Sequence, residues 1–199
     1  MTSAGRAATR ARTTKETSIE LSLDGDGSGE TEVSTGLPFF DHMLTQLGKH
    51  GGWDLTVKVE GDLEVDAHHT VEDTAIAIGE AFAEALGDKA GVRRFASGLY
   101  PLDEALVEVA LDLSGRPFTV YEVKLGEVLA LGTPPFDPQL AEHFWQSFAT
   151  SAGVTLHVRL KAGRNTHHIV EACFKGVARC LRDAARIEGG GIPSTKGTL

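Results

Sequence analysis

The chain repeats itself at a spacing of about a hundred residues. Asp66-Ala67-His68-His69-Thr70-Val71-Glu72-Asp73 returns as Asn165-Thr166-His167-His168-Ile169-Val170-Glu171-Ala172. The agreement extends upstream, where an offset of 101 sets His42 against His143, Leu55 against Leu156, Val57 against Val158 and Lys58 against Arg159. A turn shortened by two residues then brings His68 opposite His167 and Glu72 opposite Glu171, at an offset of 99. Such a chain is two copies of one unit, and each copy has an apolar side that the other can cover.

Apolar periodicity describes the unit. Thr17 to Leu23 alternates as a half-buried strand, and the cluster Asp24 to Gly29 turns into a second strand over Glu30 to Thr35. The Asp-Gly-Asp-Gly run lacks the closing Glu of a calcium loop, so a hairpin is expected. Pro38 opens a helix through Leu47, Trp53 to Val59 alternates as a strand, and the first His-His pair opens a longer helix ending at Gly87. After a loop with Arg93 and Arg94, strands over Ala105 to Leu113 and Phe118 to Val123 restart the pattern. A helix from Asp137, a strand over Val154 to Leu160 and a helix from the second His-His pair complete it. The expected fold is α/β of the α+β kind, a duplicated strand-strand-helix-strand-helix unit with halves 15–95 and 96–199. Residues 1–14, with Arg6, Arg10 and Arg12 among small residues and no large apolar side chain after Met1, are expected to be a disordered tail. The C-terminal segment 188–199, Gly-rich at its start, is expected to be a flexible tail.

Composition narrows the function classes. A formal net charge of -9 argues against nucleic acid as the main partner, and no stretch of eighteen apolar residues could span a membrane. Cys173 and Cys180 lie about two helical turns apart, too far for a disulfide, and fit buried filler in a cytoplasmic protein.

Each repeated motif reads His-His-x-x-Glu. On a helix the first His and the Glu share a face at i and i+4, while the second His points elsewhere. With His42 and His143, the candidate metal ligands are His42, His68, His69, Glu72, His143, His167, His168 and Glu171. That is four per ion for two ions, with positions left open for substrate. The set suits a cation of the Mn, Fe, Co or Zn type, and open positions indicate catalysis. The same ligands would serve a dinuclear metallohydrolase or a non-catalytic metal-binding oligomer.

The chain closely resembles the imidazoleglycerol-phosphate dehydratase family from Thr14 to Leu199. The carriers are Phe40-Asp41-His42-Met43-Leu44, both His-His segments, Ser114-Gly115-Arg116-Pro117 and Ser194-Thr195-Lys196-Gly197. The resemblance implies ribosomal protein S5 domain 2-like halves with helices between two sheets, two Mn(2+) per active site, and a cage of twenty-four subunits with sites at subunit contacts. One ion would take His42, His69, His167 and Glu171, the other His68, Glu72, His143 and His168. The implied reaction dehydrates D-erythro-imidazoleglycerol phosphate to imidazoleacetol phosphate, in histidine biosynthesis, through a metal-bound imidazolate. Glu16 and Glu171 would be catalytic. Glu16, Gln46, His50, Arg94, Arg116, Lys175, Ser194 and Lys196 would bind substrate, with Arg94, Arg116, Lys175, Ser194 and Lys196 on its phosphate.

Overall fold

A computed structural model describes residues 5–126 and 129–199. The first half runs β1 (Ala7–Thr13), β2 (Thr17–Asp24), β3 (Thr31–Ser34), α1 (Pro38–Gly51), β4 (Asp54–Gly61) and α2 (His68–Leu86). The second repeats it as β5 (Phe95–Leu102), β6 (Ala105–Asp112), β7 (Phe118–Glu122), α3 (Leu140–Ala152), β8 (Thr155–Ala162) and α4 (Thr166–Ala184). The sheets have orders β1-β2-β4-β3 and β5-β6-β8-β7. In each, the last strand pairs parallel to its neighbour and the others pair antiparallel.

Each half therefore has one strand more than its sequence pattern indicates, and three expectations are corrected. Residues 7–13 are not a disordered tail but β1, paired along its length with β2. Only Ala8 of β1 is buried, because backbone hydrogen bonds and arginines, not apolar packing, hold this edge. Arg10 pairs with Glu80 and Glu84 of α2, and Arg12 reaches Asp73 at 2.9 Å. The residues after Arg94 are β5, whose Gly98 and Pro101 weaken the strand signal; Pro is tolerated because β5 lies at a sheet edge. Third, β2 and β3 form no hairpin, since β4 lies between them. The intervening turn is held by Asp54 Oδ1, which accepts N–H bonds from Ser28, Gly29 and Glu30 at 2.8–3.0 Å.

Alternation then decides the layers. Ile19, Leu21 and Leu23 of β2, and Val107, Val109 and Leu111 of β6, face inward and are buried. The four helices fill the space between the sheets, and they pair across the repeat: α1 packs on α4, and α2 on α3. Phe40, Phe136, Phe144, Trp145, Phe148 and Phe174 form the shared aromatic centre, with Phe144 5.1 Å from Phe174 between ring centroids. Among the described residues, no helix is long and apolar enough to cross a membrane.

Candidate active site

Because helices pair across the repeat, each triad of metal-ligand type draws on both halves. Pro38 sets the start of α1 and puts His42 in its first turns. The side chain of Asn165 accepts from His168 N–H and caps α4, and Asp66 Oδ1 accepts from His68 N–H at the start of α2. On α4, His167 Nε2 lies 3.0 Å from Glu171 Oε2, and His42 Nε2 comes from α1 to 3.5 Å of the same oxygen. The repeat-related set is His68, Glu72 and His143. There His143 Nε2 of α3 lies 3.3 Å from Glu72 Oε1, and His68 Nε2 lies 4.0 Å from Glu72 Oε2.

Both triads fit a cation. Within each, the candidate ligand atoms lie within 4.8 Å of one another. Ligands bound at about 2.0–2.2 Å from one ion stand roughly 3–4 Å apart, so small side-chain adjustments close the gap. His143 Nε2 is buried and has no hydrogen-bond partner among the described residues, which is costly unless something else binds it. Burial raises the pKa of Glu171, but the hydrogen bond and charge of Lys175, with His42 and His167, outweigh it and leave the carboxyl below its ordinary range.

The second histidine of each pair turns away from both triads. His69 Nδ1 lies 3.0 Å from Asp62, with Glu16 3.8 Å from Nε2. His168 Nδ1 lies 2.8 Å from Glu104. The Asp62 hydrogen bond raises the pKa of His69, and the Glu104 bond that of His168; Glu104 is held at about 2 by His168 and by the N–H of Asn165. Sequence reasoning singled out neither Asp62 nor Glu104. Asp62 carries only the common signal of a carboxylate in the turn before a histidine pair, and Glu104, in the β5–β6 turn 64 residues before His168, carries none.

Arg94, Arg116, Ser194 and Lys196 gather around an open pocket of ≈ 490 Å³ with Pro193 and Thr195. Arg94 is pinned there by Asp112, donating at 2.7 and 3.1 Å, and its Nη1 donates to Pro193 O at 2.7 Å. The closing segment is also tied to Gly91, which accepts from Glu188 N–H and donates to Gly191 O, each at 2.8 Å. Lys175 stands apart from this pocket, 2.6 Å from Glu171 Oε1. Gln46 and His50 continue the His42 face of α1. The Gln46 amide is 3.4 Å from His42 Nδ1, while burial, then the charges of Lys175 and Arg179, lower the pKa of His50. This pocket and the two triads share no residue.

Comparison with known proteins agrees with this architecture. The family model described as imidazoleglycerol-phosphate dehydratase matches residues 35–181. A protein of that name from Acidothermus cellulolyticus is 58% identical over 98% of this chain and 93% of its own length. One from Methanopyrus kandleri is 54% identical over 94% of each chain. Among solved structures, the imidazoleglycerol-phosphate dehydratase of Staphylococcus aureus superposes with a TM-score of 0.80 at 34% identity, over 89% of this chain and 97% of that one. The enzyme of that family from Pyrococcus furiosus does so at 0.81 and 34%, over 96% and 100%. Duplicated fold, crossed histidine triads and sequence identity along nearly the whole length agree: the chain belongs to the imidazoleglycerol-phosphate dehydratase family.

Proposed function

We infer that this chain, by its family a hydro-lyase of histidine biosynthesis, removes water from imidazoleglycerol phosphate to give imidazoleacetol phosphate at a site holding two divalent ions. The observation that carries the reading is the crossed pair of triads, each with two imidazoles from different halves and one carboxylate. His42, His167 and Glu171 would hold one ion, and His68, Glu72 and His143 the other. Mixed imidazole and carboxylate donors suit manganese, which we assign to both positions. When bound, the ions supply Lewis acidity to the substrate ring, which makes loss of the hydroxyl and of a carbon-bound proton easier.

The chain's own groups supply the rest. Arg116 and Lys196 give the phosphate charge-assisted hydrogen bonds, with Ser194 donating from its hydroxyl and Arg94 shaping the pocket. Glu16, half exposed beside His69 Nε2, would take or return a proton. Gln46, His50 and Lys175, on α1 and α4 beside His42 and Glu171, would contact the substrate.

His69 and His168 face away from their own chain's triads, and the anion pocket shares no residue with either triad. These facts support sites completed between copies, with His69 joining the ion of His42, and His168 that of His143. Phe95, Leu99 and Phe118, exposed on the second sheet, supply apolar contact surface, and we propose the family's cage of twenty-four subunits in the cytoplasm.

The test incubates manganese-loaded protein with imidazoleglycerol phosphate and with generic phosphoesters. Water loss without phosphate release, abolished by chelation and restored by the metal, is expected. Phosphate release from the esters would indicate a metallohydrolase, and no product from either a metal-binding oligomer without turnover.

A further inference from the structure

The duplication is not symmetric around the second histidines. Ile19 of β2 pairs with Val59, and Val107 of β6 with Leu160, so Glu16 and Glu104 stand three residues before equivalent positions, although a register shift between Leu106 and Val107 moves Glu104 one place along β8. Both reach the second histidine of their half, but on opposite ring nitrogens. Glu16 approaches Nε2 of His69 at 3.8 Å, whereas Glu104 accepts from Nδ1 of His168 at 2.8 Å.

The first loop residue after β4 and β8 explains the difference. After β4 it is Asp62, whose carboxylate already takes Nδ1 of His69 and leaves Glu16 beside Nε2. After β8 it is Gly163, with φ at 146°. A Cβ there would stand 2.8 Å from Ile169 Cγ1 and 3.2 Å from Ala105 Cα. A carboxylate cannot be carried at that position without strain and collision, so His168 must find its partner elsewhere. Glu104, fixed by the N–H of Asn165 at 2.8 Å, is that partner.

We propose that Asp62 and Glu104 are positioning residues for the metal site, and that Glu104, although the counterpart of Glu16, is committed to His168 and takes no part in proton transfer. An ionised carboxylate only accepts, so each fixes its histidine with the hydrogen on Nδ1 and Nε2 presented as a ligand. The proposal rests on the metal reading above.

The experiment titrates manganese into the full-length protein, following free Mn(2+) by its electron paramagnetic resonance signal. Asp62→Ala and Glu104→Ala are expected to weaken one of the ions roughly 10–100-fold. Glu104→Gln, which keeps an acceptor oxygen, recovers part of that loss, and activity in all three returns with excess metal. Glu16→Gln keeps parental affinity and is not rescued by metal. Asp103→Asn, whose carboxylate lies 3.8 Å from Nε2 of His168 and not on Nδ1, also keeps its metal. Unchanged affinity in Glu104→Ala, or a loss in Glu16→Gln as large as in Glu104→Ala, overturns the division of roles. Parental protein inactive on imidazoleglycerol phosphate at saturating metal refutes the functional reading instead, whatever the affinities.

Discussion

Gly79→Ala tests whether the α2–α3 contact sets the second triad. Gly79 faces α3 so closely that a Cβ would lie 2.8 Å from both Phe148 O and Ser151 Cβ, and 3.1 Å from Ala152 N. Two of these atoms are backbone and cannot swing aside, so the helices must part by about 0.6 Å to restore ordinary contact. Overpacking against backbone atoms that cannot yield falls in the upper part of the usual range, at about 2–3 kcal/mol, and the better helix propensity of Ala returns roughly 0.8–1 kcal/mol. The net loss is about 1–2 kcal/mol, or a Tm lower by roughly 2–8 °C for a chain of this length. The effect on metal should be one-sided. His68 and His143, with ring centroids 4.3 Å apart, sit on this helix pair, whereas His42 and His167 sit on α1 and α4. Thermal unfolding of the chelated protein at matched protomer concentration, followed by manganese titration, should show a lower Tm and one weakened ion. An unchanged or higher Tm would refute the reasoning, because propensity alone would then have decided the outcome.

Three further outcomes follow from the same contacts. Lys196→Ala should raise KM with little change in Tm, while Arg94→Ala should raise KM and also lower Tm, since Asp112 loses both its hydrogen bonds; an unchanged KM for Lys196→Ala removes it from the phosphate site. Arg12→Ala should cost about 1–2 kcal/mol in urea unfolding, because it strips a partly buried ion pair from Asp73, and an unshifted midpoint would mean that β1 is held without it. Burial lifts the thiols of Cys173 to about 12 and Cys180 to about 11, from 9.0, so neither should be alkylated in native protein near pH 8, and both should react once it unfolds. Both folded pKa values are raised, so this contribution to stability is complete below 9.0 and fades as pH climbs toward 11 and 12, which an alkaline unfolding series would detect.

The repeat, the helices and the central strands were legible in the sequence because each carries a strong local signal: apolar periodicity, a helix-entry Pro, a closing Gly. The pairing of His68 with Glu72 and of His167 with Glu171 was legible for the same reason, since four residues along a helix fix a shared face. The edge strands β1 and β5 were not. They are held by backbone bonds to β2 and β6, and by arginine contacts from β1, and such long-range partners leave no alternating apolar pattern behind. Nor could sequence show that α1 lies on α4 and α2 on α3, although that crossing is what carries His42 to Glu171 and His143 to Glu72. Residues so far apart in the chain become neighbours only when two sheets close over one helical layer. The turning of His168 to Glu104, where His69 has Asp62, was decided at the same level, by the room around one glycine after β8.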